Sequence, residues 1–328
     1  MITRRSFLAT QAGMLATTAI ATRTAAAQSL PQISRVVVGF PAGGAADTMA
    51  RLLTDRMREQ APKVIVDNKP GAGGRIALDA IKSSPADGSV VILTPASMIV
   101  LYPHVYKKLS YDPLRDFTPI STVCTAPLVI VAGPKVGPDV KSISDFVAWC
   151  KANPNQASFG TPGAGSMLHF IGDMLWRAAG VQPTHVPYRG GSPMMQDVIA
   201  GQIPAALTVL SSALPLVASG TLRVLAITGA QRSRFLPDVP TLHELGFKDV
   251  IAEEWYGILG PAGLPSPIVA KLNDAIRGAL KNEKVLESFN TFGFTATGES
   301  PEEFLALIKA DTERWGQIVK ASSYVPED

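Results

Sequence analysis

Residues 33–40 form a valine-rich run, apolar from Val36 onward after Ser34 and Arg35, the pattern of a strand covered on both faces. Beyond Pro41-Ala42-Gly43-Gly44 the period changes, and Met49, Leu52, Leu53 and Met57 recur at helical spacing. The same sequence of events follows at once. Val64–Val66 predicts a short strand, Asn68-Lys69-Pro70-Gly71-Ala72-Gly73-Gly74 a turn, and Ile76, Ala77, Ala80 and Ile81 one face of a helix. Val90–Leu93 predicts a third strand. A proline-rich stretch from Tyr111-Asp112-Pro113 to Pro119 interrupts the alternation. It resumes with a strand over Val129–Ala132 and a helix over Ser144–Lys151, with Phe146, Val147 and Cys150 facing inward. A third strand–glycine turn–helix unit runs through Ser158–Gly160, Thr161-Pro162-Gly163-Ala164-Gly165-Ser166 and a helix carrying Leu168, Ile171 and Leu175. Further strands are expected over Thr184–Val186, Ala205–Val209 and Val224–Thr228. Near the end, Ser300-Pro301-Glu302-Glu303 opens a helix with an N-cap serine and a capping-box glutamate; Phe304, Leu305, Ile308, Trp315 and Ile318 form its buried stripe. Strands alternating with helices across short turns specify an α/β fold with parallel pairing and right-handed crossovers.

Composition narrows the class. With 328 residues, two domains are the default. The chain is 46% hydrophobic and only 17% charged, too apolar to stay unfolded. Two cysteines, Cys124 and Cys150, build neither a disulfide framework nor a four-cysteine zinc site. They either pair in an oxidising compartment or remain buried free thiols.

The formal charge of +3 has a local origin: residues 1–27 hold Arg4, Arg5 and Arg23 and no acid. The remaining chain balances 27 basic against 27 acidic residues, which excludes a nucleic-acid binder that works by neutralising phosphates. The same 27 residues read as an export signal. Thr3-Arg4-Arg5-Ser6-Phe7-Leu8 is a twin-arginine start, Ala9–Ala21 a mildly apolar stretch too short for a permanent anchor, and Ala25-Ala26-Ala27 a peptidase site with cleavage before Gln28. The mature protein is expected in the periplasm.

Three strand-to-helix turns share one composition: Pro41-Ala42-Gly43-Gly44, Pro70-Gly71-Ala72-Gly73-Gly74 and Pro162-Gly163-Ala164-Gly165-Ser166. A helix start carries unpaired N–H groups and about half a positive charge, and glycines let a ligand approach it closely. Such turns suit a carboxylate, sulfate or phosphate, or are ordinary tight connections. Neither the dinucleotide fingerprint nor the Walker loop is matched in register, so a nucleotide is not the expected anion.

Catalytic sets are sparse. No G-x-S-x-G elbow occurs, and His104, His169, His185 and His243 offer no i, i+4 pair for zinc, so neither a metal nor a cofactor is expected. Ser166, His169 and Asp173 share one helix face, which keeps a secreted Ser–His hydrolase open as a rival; Ser166 and His169 otherwise serve as neutral donors near a helix start. Asp47, in the first turn of its helix, either complements the macrodipole or orders the anion loop or binds a cationic part of the ligand. Arg189 either meets a carboxylate with its planar fork or is a solvated arginine.

In order and spacing, these segments resemble the Bug-type extracytoplasmic solute-binding proteins of tripartite tricarboxylate transporters. The matching stretches include Gly39-Phe40-Pro41-Ala42-Gly43-Gly44 with Asp47, Val66-Asp67-Asn68-Lys69-Pro70-Gly71-Ala72-Gly73-Gly74, Tyr111-Asp112-Pro113 with Asp116-Phe117-Thr118-Pro119, Gly163-Ala164-Gly165-Ser166 with His169, His185-Val186-Pro187-Tyr188-Arg189-Gly190 and Leu236-Pro237-Asp238-Val239-Pro240-Thr241. The resemblance implies a type II-like two-lobed receptor with mixed or parallel sheets, not an enzyme, holding a small carboxylate, such as a di- or tricarboxylate, in the cleft between lobes. One lobe would comprise residues 28–126 and 253–328, the other residues 127–252, with hinges in Val123–Val131 and Trp255–Leu259. It places Ala42, Gly43, Gly44, Ala45, Ala46 and Asp47 on one side of the ligand, and Thr161, Gly165, Ser166 and His169 on the other. Gly73, Thr94 and Ser97 are second contributors, with Arg189 beside them. The sequence departs from the family around Ala205–Ser211, where acidic and amide residues are missing, which implies a less polar far end and an aromatic or aliphatic acid. A monomer partnered by transmembrane transporter subunits is expected; an orphan carboxylate sensor for a signalling partner would share the cleft.

Overall fold

The computed structural model describes residues 34–57, 64–322, 324 and 326. The export-signal segment 1–27 and Ile33 lie outside the described residues. Strands β1 (Arg35–Val38), β2 (Ile65–Asn68) and β3 (Val90–Pro95) pair in parallel with β1 in the middle. Between them run helices α1 (Ala45–Met57) and α2 (Arg75–Lys82). Met49, Leu53 and Met57 of α1 are buried, as their spacing requires.

The proline-rich stretch behaves differently from its sequence expectation. A single strand, β4 (Phe117–Ala132), starts inside it and continues for 16 residues. Proline lacks the N–H a ladder needs, so a strand tolerates it only where pairing is relaxed. Pro119 adjoins a register shift, and Pro127 is the last residue of β4 paired to β9 (Glu253–Pro261). From Leu128 onward β4 pairs instead with β7 (Ala205–Val209) and, from Val129, with β8 (Arg223–Ile227). One strand thus serves two parts of the sheet.

The second part repeats the parallel arrangement. Helix α3 (Ile143–Ala152) leads to β5 (Ser158–Thr161), α4 (Met167–Ala178) to β6 (Thr184–Pro187), and α5 (Gly191–Ile199) to β7. Strand β5 lies parallel to both β6 and β7. After β7 comes α6 (Leu210–Ala218), then β8; β9 returns between β3 and β4. Helices α7 (Ser266–Leu280), α8 (Glu283–Thr291) and α9 (Pro301–Ala321) follow, with β10 (Thr295–Ala296) against β4. The order across the sheet is β2-β1-β3-β9-β4-β7-β5-β6.

Pairing is therefore mixed, not parallel throughout. Every pairing of β9, and every pairing of β4, is antiparallel. The reason is that these strands return the chain across the sheet instead of continuing a βαβ crossover. The outer strands stay parallel, and their carboxyl ends carry the glycine turns.

At α9 the capping box forms as expected: the Ser300 hydroxyl accepts from Glu303 N–H and the Glu303 carboxylate accepts from Ser300 N–H. Its deeply buried stripe is Phe304, Ile308, Trp315 and Val319, so Val319 takes the place expected of Ile318. Cys124 and Cys150 are both buried free thiols. No helix among the described residues is long and apolar enough to cross a membrane.

Candidate functional site

The carboxyl ends of β1, β5, β6 and β7 deliver four helix starts to one small cavity of about 80 Å³. Ligand clefts in open α/β sheets form at this end of the strands, because the helix N-termini collect there. Ala45 and Ala46 present α1, Ser166 and Leu168 present α4, Gly191 and Ser192 present α5, and Val209 and Ser212 present α6. By helix geometry the first N–H groups of each have no partner within their own helix. No Lys, Arg or His lines the cavity among the described residues. Its polarity comes from main-chain dipoles and hydroxyls, and its walls from Phe40, Tyr102, Leu168 and Tyr256.

A wider hollow of about 710 Å³ adjoins the cavity and shares Phe40, Pro41, Pro162 and Gly163 with it. All three glycine turns border this hollow, so residues far apart in sequence do meet. Gly73 and Arg189 belong here, in the outer hollow and not the inner cavity. Arg189 is exposed. Across the hollow the Arg75 guanidinium lies over the Tyr106 ring, 3.9 Å from its centroid. The Tyr102 hydroxyl donates to the Gly73 carbonyl at 2.9 Å and so ties the Gly71–Gly74 turn to the cavity wall.

The first turn is ordered by Asp47. This carboxylate is 3% exposed and points back into the loop. It accepts from Gly43 N–H at 2.9 Å, from Arg51 Nε at 3.0 Å and from Asn68 Nδ2 at 3.0 Å. Burial pushes its pKa up, but the bonds from Arg51, Gly43 and Asn68 outweigh this and hold it below the ordinary carboxylate range. The bond to the exposed Gly43 N–H is what the macrodipole reading expects, and the same bond orders the loop. Gly43 N–H is thereby engaged, and Gly44 N–H reaches the Pro41 carbonyl at 3.4 Å. Ala42 and Gly43 do not line the inner cavity, whereas Gly44, Ala45 and Ala46 do.

The second turn is ordered by hydroxyls and rings. Ser166 caps α4, donating its hydroxyl to the Gly163 carbonyl at 2.7 Å and accepting from His169 N–H at 3.4 Å. His169 Nδ1 accepts from Gly165 N–H at 3.2 Å, and its Nε2 faces Asp173 at 3.3 Å. The His185 ring stacks on His169 at 3.7 Å, and its Nε2 meets the Thr161 hydroxyl at 2.7 Å. That hydroxyl donates to the Gly163 carbonyl at 3.0 Å. Burial, aided by the adjacent His169, pushes the His185 pKa down to about 3, so the ring is neutral. Thr161, Gly165 and His169 therefore support the turn from behind, and Ser166 alone of these four lines the inner cavity. The hydrolase arrangement is absent from this geometry: the Ser166 hydroxyl bonds a carbonyl, and its contact with His169 is to the backbone N–H.

Thr94 and Ser97 separate in the same way. Thr94 is buried against Pro95 and Met98. Ser97 lines the cavity and holds a residue that the motif reading missed, Glu254. Glu254 begins β9, is 4% exposed and faces the cavity. Its Oε1 accepts from Ser97 N–H at 2.9 Å, and the Ser97 hydroxyl lies 3.1 Å from each carboxylate oxygen. Burial raises its pKa to about 7, against the pull of the Ser97 bonds. Thr208 and Ser212 also line the cavity, so the far end is hydroxyl-bearing and not purely apolar. The Gly190-Gly191-Ser192 turn was missed beside the three glycine turns, although its paired glycines and serine before a helix were the signal. Glu254 was not legible, because Glu253-Glu254 at a strand start does not say which acid faces inward.

A cleft at the carboxyl ends of two βα arrays, lined by helix starts and joined by shared strands, defines the two-lobed α/β binding-protein class. The chain belongs to the tripartite tricarboxylate transporter family receptors, whose family model matches residues 49–324. It is similar to protein BugT of Bordetella pertussis, 33% identical over 288 residues that cover 87% of this chain and 88% of BugT. It is also similar to MatC of Rhodopseudomonas palustris, solved with bound malate, at 29% identity and a TM-score of 0.81, covering 87% and 98% of the two chains. Rpa4515 of R. palustris, solved with adipate, superposes with a TM-score of 0.85 at 28% identity, covering 89% and 98%. Members of this family are periplasmic solute-binding proteins and not enzymes.

Proposed function

We propose that this protein is an exported receptor that captures a small carboxylated solute in the inner cavity and delivers it to transmembrane transporter subunits. The observation that carries the reading is the meeting of four helix starts in a cavity with no cationic side chain. Main-chain N–H groups of α1 on one side and of α4, α5 and α6 on the other grip one carboxylate, with Ser192 supplying a hydroxyl. Relatives solved with malate and adipate support a carboxylate ligand. Both carry two carboxylates, and the second would extend toward Arg189 in the outer hollow.

Capture follows hinge closure. Residues 28–126 and 253–328 form one lobe and 127–252 the other, and the hinge in β4 sits where its partner changes from β9 to β7 between Pro127 and Leu128. Residues 1–27 are removed near Ala27 on export, leaving a monomeric receptor.

A thermal-shift series with malate, adipate, benzoate, a sugar and a simple amine tests this. A ligand of the native state at a hundredfold excess over Kd raises the melting temperature by about 5 °C. Shifts with the acids alone are expected. Shifts with the sugar or amine and none with the acids would remove the anion assignment.

A further inference from the structure

The inner cavity contains a contradiction that its glycine turns do not resolve. Four helix starts favour an anion, yet Glu254 sets a carboxyl group in the same wall. We propose that Glu254 is a specificity-determining residue that enters the complex protonated and donates its O–H to the bound carboxylated solute, so that one proton is taken up with the ligand. The inference rests on the receptor reading above and names a further determinant of the same site.

Geometry leaves the carboxyl little alternative. Glu254 is almost fully buried; the N–H and hydroxyl of Ser97 bond it, the Ala96 N–H also favours its ionised form, and burial outweighs them. The Ser97 hydroxyl itself accepts from Met167 N–H at 3.3 Å, which joins Glu254 to the first turn of α4. The charged and titratable groups around it supply no compensating cation. Tyr256 on the same strand and Tyr102 are buried. Asp311 of α9 lies behind Trp255, whose Nε1 donates to it at 2.8 Å, and Arg314 is paired with Asp311 at 3.4 Å. Asp311 raises the Glu254 pKa further, on top of burial. A second negative charge in a cavity this small adds like-charge repulsion, and the cheaper outcome is protonation of the carboxyl. Once protonated, Glu254 is a donor aimed into the cavity, and a ligand acceptor is the natural recipient. The device selects acids that place an acceptor there over solutes that place an ammonium there.

The test is isothermal titration of adipate and malate into the full mature chain from pH 7 to 9, where the carboxylates of both probes stay ionised. Each titration is run in two buffers of different ionisation enthalpy, which counts the protons exchanged. Wild type should take up close to one proton at pH 8 to 9, and affinity should fall about fiftyfold between pH 7 and 9. Glu254→Gln, which keeps the shape and an N–H donor, should bind with less than a threefold change over the same range. Wild-type binding that is flat in pH with no proton uptake overturns the role of Glu254 and leaves the anion site standing. An equally steep slope in Glu254→Gln overturns it as well. Failure of wild type to bind either probe or any other acid removes the proposal together with the receptor reading. If Glu254→Gln does not fold by circular dichroism, Ser97→Ala decides. It removes a donor to the ionised form and should move the pH midpoint of proton uptake upward by at least half a unit, and an unmoved midpoint overturns the proposal.

Discussion

The first and second glycine turns, Pro41–Ala46 and Pro162–Ser166, present comparable backbone to the same cavity and are held by different chemistry. Behind the first stands a charged network: buried Asp47 tied to Arg51, Asn68 and Gly43 N–H. Behind the second stand hydroxyls and rings: Ser166, Thr161 and two stacked imidazoles satisfy the turn, and His169 faces Asp173 at 3.3 Å. The comparison shows that an anion-accepting turn needs its loop polar groups satisfied, not a particular charge behind it. It also shows what most of the polar side chains near the turns do: they hold the backbone, engaging the N–H groups of Gly43, Gly165, Met167 and His169 themselves.

The largest effect should come from breaking the charged side. Asp47→Ala leaves the exposed Gly43 N–H and half-buried Asn68 without their Asp47 acceptor, and is expected to cost about 2 kcal/mol in urea unfolding along with acid binding. Arg51→Ala should cost less than about 1 kcal/mol, because the arginine is half exposed and Asp47 keeps its two other donors.

Acid separates the two turns next. The His185 pKa lies below its unfolded value of 6.5, near 3, so its contribution is complete above 6.5 and is lost as the pH falls from 6.5 toward 3. Asp47 is lowered from 3.8, so its contribution persists until the pH falls below that value. Between pH 7 and 4 only the second turn should loosen. The gap in stability between wild type and His185→Gln should narrow by roughly 2 kcal/mol over that range, a figure discounted for the partial exposure of the ring. An Asp47→Asn variant should show the same acid slope as wild type.

The smallest change in stability should be the most informative about binding. A Cβ at Gly163 meets nothing within 4 Å, yet Gly163 lines the cavity. Gly163→Val should leave the melting temperature within about 2 °C and weaken acid binding at least tenfold. Gly43→Ala is its counterpart: there is also open space at this Cβ, but φ is +80°, so a cost of about 1 kcal/mol is expected with little direct effect on the cavity.

Local signals were legible where the chain decides its own conformation. The valine run of β1, the stripe of α1 and the capping box of α9 depend on periodicity and on residues three or four apart. β4 was only partly legible, because its prolines read as a break and its continuation depends on partners more than 70 residues away. At the site, Gly44, Ala45, Ala46, Ser97 and Ser166, which the resemblance offered as ligand contacts, line the inner cavity. Asp47 and His169 were legible as belonging to the turns, but not as facing away from the cavity. Glu254 carried no motif at all.

From the chain alone came the α/β class, the helix starts at glycine turns, the charge balance and the family resemblance, since each depends on residue type and short spacing. Which N–H groups are free, which turns meet, and that Glu254 rests on Ser97 across 157 positions were decided by tertiary structure. Burial and hydrogen-bond direction are properties of neighbours in space, and a linear pattern does not contain them.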